Sequence, residues 1–388
     1  MNLIKKFAVF SAAVAAVALF AGCNKKTYKV YTNIPEGKFK ILDKSFETGG
    51  ILEGGPNFET APLEIDTSGY TTKSRIYFCM LSDAELVVSD NFSLDGAEER
   101  FTAFYKAVGD TLNGIDKAIS STVKDTDIYK FNEAAAGATL EISKTAYEVV
   151  SEALSVNALT GGYYNPALYY NIQAYGFGGA QDYPENKDEL PEDGIIEKYT
   201  ALASHFNEIE LKEEEGKYFI TKPQYTVEVS GVTLSLKLDL GGIGKGYAVD
   251  KVDELFDEYG YNFGYFNFGA SSMLVKRNLG QNVYNVNFSS PRSPTRDAYL
   301  STEIACKKLS TSGDNEQFYN IDGKRYCHII NAFTGKPVDG GIMSVTVVGG
   351  SAASADAITT AIMAMDKDTA IEFVKTKLTD RLVAFTCE

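Results

Sequence analysis

The sequence has no tryptophan and only two histidines, His205 and His328. Histidine-rich metal chemistry is thereby excluded, and a histidine base has two candidates. Cysteine is sparse as well. After Cys23 come Cys79, Cys306, Cys327 and Cys387, with no CxxC pair, which argues against a zinc site. An even number permits disulfides in an exported protein without fixing a connectivity, and buried thiols fit equally well. Positive charge is short: 37 basic residues face 52 acidic ones, for a net charge of −15 and no Lys/Arg cluster. Such a chain is a poor nucleic-acid binder and its body is repelled by anionic lipid. Beyond residue 20 no uninterrupted apolar run is long enough to cross a bilayer.

What is present begins with a targeting pattern. Lys5 and Lys6 precede an alanine-rich apolar run from Phe7 to Phe20, as in a secretory signal. The run closes in Leu19-Phe20-Ala21-Gly22-Cys23, which resembles the bacterial lipobox. That resemblance implies a signal peptide over residues 1–22 and lipidation of Cys23. The protein is then expected at the cell membrane, held by its lipid alone on the extracytoplasmic side. Residues 24 to about 70, rich in Gly, Pro, Lys and Glu with weak periodicity, read as a spacer with room for partial order.

The chain from Asn24 on is long enough for a large core in one big domain or two closely packed ones, with the main domain expected over 71–388. Arg75–Val88 reads as strand, with Ile76, Phe78 and Met80 alternating. Helical spacing marks Glu98–Ser120 and Thr139–Leu159, the second ended by Gly161-Gly162. Asp182–Asp193 is an acidic, proline-containing loop. Tyr225–Leu240 predicts a hairpin turning at Ser230-Gly231, and Tyr247–Tyr259 a helix stopped by Gly260. A second hairpin turns at Asp322-Gly323. Met343–Val348 reads as a buried strand, Ser351–Met365 as an alanine-rich helix, and Leu382–Thr386 as a closing strand. Long helices mixed with hairpins predict an α+β fold.

Three stretches carry chemistry. In Leu238-Asp-Leu-Gly-Gly-Ile-Gly-Lys-Gly-Tyr-Ala-Val-Asp250 a strand runs into four glycines and then a helix. Glycines let backbone N–H groups approach a ligand, the helix start favours anions, and Lys245 adds a full charge, which suits a pyrophosphate. Gly246 after the lysine departs from a P-loop, and the Rossmann spacing is absent. A glycine turn packing a helix on a sheet is the plainer reading of this segment alone. In the second stretch Asp356 and Thr360 lie four apart on one helical face among alanines. Two hard oxygen donors, with phosphate oxygens and water, suit Mg²⁺, although an isolated Asp/Thr pair is more often a polar stripe on a surface helix. In the third, Thr311-Ser-Gly-Asp314 precedes Tyr326-Cys-His-Ile-Ile-Asn331 and Thr334-Gly-Lys-Pro337. His328, at the end of a strand beside a Thr-Gly turn, suits a general base, although a lone histidine is more often structural. His205, in Ser204-His-Phe-Asn207, is assigned a structural role.

Together these stretches resemble the FAD:protein FMN transferases, the ApbE family, from about Arg75 to the C-terminus. Asp127-Ile-Tyr-Lys-Phe-Asn132 and Tyr175-Gly-Phe-Gly178 are weaker echoes of the same family. The resemblance implies an ApbE-like mixed-sheet fold with packed helices, two lobes forming a single catalytic unit. By position it implies that Asp239 and Lys245 contact FAD. It gives the Gly242 carbonyl, Asp356 and Thr360 to the metal. Gly176, Phe177 and Gly178 are expected to line the flavin site, with Ile330 packed close. Ser312, Gly313 and Asp314 fall in a ligand-facing turn, and His328 matches the catalytic base. Departures are Thr122 where many relatives carry a larger residue against the cofactor, Tyr175 for tryptophan, Asn267-Phe-Gly-Ala270 for a Gly-Gly pair, and Asn331-Ala332 for Asp-Pro.

The implied reaction is Mg²⁺-dependent transfer of FMN from FAD to a Thr or Ser hydroxyl of another protein, with AMP leaving. The implied acceptors are extracytoplasmic subunits of redox complexes. Two rivals use the same residues differently. One is an FAD hydrolase yielding FMN and AMP. The other is a lipoprotein that binds flavin without chemistry, for which a metal pair and a base have no use.

Overall fold

The computed structural model describes residues 27–34, 38–45, 63, 65–178, 189–293 and 298–387. A nine-stranded sheet, antiparallel at every pairing, forms its frame. Its order is Lys38–Ser45, Thr27–Ile34, Leu382–Cys387, Ile342–Val348, Lys307–Gly313, Ser272–Val275, Phe263–Phe268, Ser82–Asp90 and Thr71–Cys79. Helices Ala97–Ile119, Lys144–Leu159, Gly241–Glu258 and Ala352–Ala364 pack together over one face. On the other face Val275, Leu309, Met343 and Leu382 meet Phe288, Tyr299 and Leu300 of the hairpin Tyr284–Ser289/Ala298–Ile304. Cover on both faces explains why Ile342–Val348 is buried at every position, Ser344 and Thr346 included. A smaller sheet, Thr139–Ile142, Lys217–Thr221 and Glu210–Glu214, joins the same core through Ile142 and Ile220. The fold is α+β, as the pattern predicts.

Several boundaries differ from the sequence reading. Residues 24–70 are not all spacer: Thr27–Ile34 and Lys38–Ser45 form a hairpin whose first strand pairs with Leu382–Cys387. Val30 and Tyr31 are buried there, and Tyr31 stacks on Phe385 at 4.9 Å. Arg75–Val88 is two strands, turned at Met80 and Leu81 with φ of 47° and 58°. The helix expected over Thr139–Leu159 starts only at Lys144, because Ser143 caps it by accepting from the Ala146 N–H at 3.2 Å. The helix expected from Tyr247 begins six residues sooner, at Gly241. Cys79, Cys306, Cys327 and Cys387 are all free thiols, and all but Cys306 are buried. Residues 1–22 and Cys23 lie outside the described residues, as does most of the acidic loop Asp182–Asp193. No described helix is long and apolar enough to cross a membrane.

Candidate active site

The site is built where the glycine-rich helix, Gly241–Glu258, meets the alanine-rich helix, Ala352–Ala364. The chain entering the first is fixed by Asn132, whose side-chain amide donates to the Leu238 carbonyl at 2.9 Å and accepts from its N–H at 2.7 Å. The amide thus replaces a strand partner for a buried extended segment. Asp239 then accepts from the Gly241 N–H at 2.8 Å.

The glycines divide into two sets. A Cβ on Gly244 would lie 2.5 Å from Ile119 Cδ1, and one on Gly246 2.2 Å from the Ala352 carbonyl oxygen. These two serve close helix packing, so the plainer reading of the glycine run is right for half of it. Gly241 and Gly242 line the cavity, and Gly244 reaches its wall as well. Asp250, which ends the same stretch, caps the alanine-rich helix. Its two oxygens accept from the N–H groups of Ala352 and Ala353, each at 2.9 Å, while Lys308 neutralises it at 2.7 Å. This cap sets the helix so that Asp356 and Thr360, one and two turns on, face the cavity.

That cavity, about 360 Å³, draws its wall from segments far apart in sequence. Thr122, Phe177, Gly178, Asp239, Gly242, Lys245, Ser312, His328, Ile330, Asp356 and Thr360 all lie on it. Phe177 is buried, stacks on Tyr319 at 5.3 Å and meets the His328 ring edge-on at 6.4 Å. Ser312 Oγ is 2.8 Å from Thr359 Oγ1, which ties its strand to the alanine-rich helix.

Charge on the wall is uneven. Asp116, Asp239, Glu316 and Asp356 face Lys245, the single Lys or Arg among the described lining residues. Burial raises the Asp356 carboxyl above its usual range, opposed by Lys245, by the Gly246 N–H at 3.0 Å and by the Ser272 hydroxyl. Burial likewise raises Asp239, opposed by the Gly241 N–H and Lys245. The His328 imidazole is pushed down to about 4, first by burial and then by Lys245, against the Gln317 carbonyl and Asp314. His328 Nδ1 lies 3.3 Å from the Gln317 oxygen. A proton on Nδ1 directed there leaves Nε2 as the accepting nitrogen.

Metal capacity follows from the donors. Among the described residues no three His, Cys, Asp or Glu side chains gather as a metal cluster. Asp356 and Thr360 offer hard oxygens, and the buried Tyr164 hydroxyl beside them has no hydrogen-bond partner. Such a set fits a hard cation that completes its shell with backbone, ligand and water oxygens.

Residues 80–385 match the model of the ApbE family. The chain belongs to that family. Its relatives include FAD:protein FMN transferases of Buchnera aphidicola (27% identical over 248 residues, 64% of this chain and 68% of that one) and Vibrio cholerae (27% over 263 residues, 66% and 72%). The Escherichia coli K12 enzyme of the same name is 24% identical over 285 residues, 73% of this chain and 77% of its own. Among solved structures, the flavin transferase ApbE of Vibrio cholerae superposes with a TM-score of 0.62 at 22% identity, covering 79% of this chain and 90% of that one. The ApbE protein of Thermotoga maritima gives 0.64 at 22%, covering 79% and 92%. At these identities the structures share the fold.

Within this ApbE fold three expected site residues stand off the cavity wall. Gly176, with φ of 82°, shapes the turn that buries Phe177 but does not line the cavity. Gly313 and Asp314 also lie off it, and both Asp314 oxygens are taken by Arg292 at 2.6 Å, with Arg325 at 3.5 Å. His205 stands apart, paired with Glu208 at 2.8 Å and stacked on Tyr225 at 3.8 Å. Asn331, in place of the family aspartate, accepts from the N–H groups of Phe333 and Thr334 at 2.9 and 3.0 Å and donates to the Ala364 carbonyl at 2.8 Å. Sequence reasoning missed Tyr164 and Ser271 on the wall and Ser272 behind it. No periodicity singles them out.

Proposed function

We infer that the protein transfers the FMN moiety of FAD to a Thr or Ser hydroxyl of an acceptor protein, with Mg²⁺ and release of AMP. The observation that carries this reading is the charge of the cavity. Four carboxylates and one lysine would repel a pyrophosphate unless a divalent cation enters with it. Asp356 and Thr360, with the Gly242 carbonyl, would hold that cation. When bound it supplies neutralisation of the charge that builds on the phosphate oxygens.

The chain's own residues supply the rest. Lys245 and the backbone N–H of Gly242 would bind phosphate oxygens, and Phe177 with Ile330 would pack the flavin. The acceptor hydroxyl attacks the FMN-side phosphorus, the bond to the AMP oxygen breaks, and AMP leaves with that oxygen. Neutral His328 takes the hydroxyl proton at Nε2. Positioning and charge stabilisation dominate such a reaction. Incubating a candidate extracytoplasmic redox subunit with FAD, Mg²⁺ and the protein should add the mass of FMN less one water to the subunit. If only free FMN and AMP appear, water is the acceptor and the protein is an FAD hydrolase.

The reading also places the protein on the outer face of the cell membrane, lipidated at Cys23. Asn24, Lys25 and Lys26 then form the whole link between anchor and sheet, about 14 Å at full extension. The catalytic body would ride close to the bilayer. Globomycin-sensitive processing and palmitate labelling that Cys23→Ser abolishes would test this.

A further inference from the structure

Tyr164 is 2% exposed, and its hydroxyl has no hydrogen-bond partner. Buried hydroxyls are almost always satisfied, so an orphan one asks what it binds. The ring is not loosely held. The Tyr164 N–H donates to Thr160 Oγ1 at 3.2 Å, and its carbonyl accepts from Asn157 Nδ2 at 2.7 Å. On the next residue, Asn165 donates to the Ala203 carbonyl at 3.0 Å.

Its location is specific. A Cβ added to Gly242 would sit 3.6 Å from Tyr164 Cε2 and 3.4 Å from Thr360 Oγ1, so ring and threonine converge on one small space. Asp356, Asp239 and Glu152 all lie close enough to act electrostatically on the phenol, yet none accepts its proton. Tyr164, Asp239 and Asp356 share the cavity wall, and the phenol hydroxyl bonds to neither carboxylate.

We propose that Tyr164 is a further side chain of the cation site, its hydroxyl bonding to the hydration shell of the ion held by Asp356 and Thr360. This rests on the cation reading above. Mg²⁺ keeps several of its waters in protein sites, and those waters need fixed partners. Tyr164 supplies one already immobilised and dry. It is a positioning residue for the ion, and its removal is felt in metal affinity before chemistry.

The test is thermal melting of the full chain with FAD, titrated with Mg²⁺ and also run in chelator, for wild type, Tyr164→Phe and Asp356→Asn. In chelator Tyr164→Phe should melt at or above the wild-type temperature, because it deletes an unsatisfied buried hydroxyl. The Mg²⁺ concentration giving half the stabilisation should rise about tenfold. Asp356→Asn should lose the Mg²⁺ response. A wild-type Mg²⁺ midpoint in Tyr164→Phe, with Asp356→Asn unresponsive, overturns the assignment and leaves the cation reading standing. A Tyr164→Phe protein that melts several degrees lower in chelator also overturns it, since the hydroxyl would then have a partner within the fold. If Asp356→Asn keeps the full Mg²⁺ response, the cation reading falls and this assignment with it.

Discussion

The Gly246 N–H donates to Asp356 Oδ2 at 3.0 Å, so the first turns of one helix orient the carboxylate of another. The bond is possible only because Gly246 lets the helices touch. A Cβ there would meet the Ala352 carbonyl oxygen at 2.2 Å and the Ala353 Cα at 2.8 Å, both backbone atoms that cannot rotate away. Gly246→Ala should therefore cost about 3 kcal/mol of stability, by overpacking. The cost should also appear as a weaker Mg²⁺ dependence of whatever turnover remains. Urea unfolding and a Mg²⁺ titration measure the two effects. A variant with wild-type values in both would mean that the helix contact is not rigid.

His328 gives a pH prediction with a definite sign. Burial disfavours the imidazolium, so the group stays neutral down to about 4. Two histidines make the assignment direct by NMR: the ring signal missing from His328→Ala is His328. That signal should keep its neutral shift through about pH 5, well below the ordinary histidine midpoint of about 6.5. Removing the repelling cation in Lys245→Met should raise its midpoint. A midpoint that stays put would separate Lys245 from His328. In turnover, His328→Ala should stop transfer while FAD still binds.

How much of this was legible follows from which interactions are local. Asp356, Thr360, Lys245 and His328 could be read because their motifs follow one another in family order, and the fold gathers all four on one wall. The start of the glycine-rich helix could not. Propensity argues against helix through four glycines, and here contacts with Ile119 and Ala352 override it. Asp314 looked ligand-facing, but its partner Arg292 comes from a separate loop, a pairing no local spacing encodes. The strand Thr27–Ile34 was hidden for the same reason: its partner is the last strand of the chain.

Asp250 holds the alanine-rich helix by its end, and removing it should act at a distance. Asp250→Ala leaves the N–H groups of Ala352 and Ala353 without their acceptor and Lys308 without its 2.7 Å partner. Loss of the cap alone should cost about 1 kcal/mol. Because Asp356 lies one turn further along, FAD turnover should fall by about tenfold, the rate cost of a comparable misplacement energy. Asp250→Asn keeps one accepting oxygen and should recover part of both. Equal turnover in wild type and Asp250→Ala would show that Asp356 is positioned without this cap.

The N-terminal hairpin separates two views of residues 24–62. As a spacer, it could be deleted without consequence to the folded body. In the structure Val30 is fully buried, and Tyr31 stacks on Phe385 with ring planes 7° apart. Each such side chain contributes about 2 kcal/mol by burial. Deleting the hairpin also turns Leu382–Cys387, buried along its whole length, into an open edge strand. Open apolar edges pair with other chains. A protein lacking residues 24–62 should therefore melt several degrees lower and self-associate on gel filtration, while its cavity residues remain in the sequence. Wild-type melting and monomeric elution of that truncation would return these residues to the role of a tether.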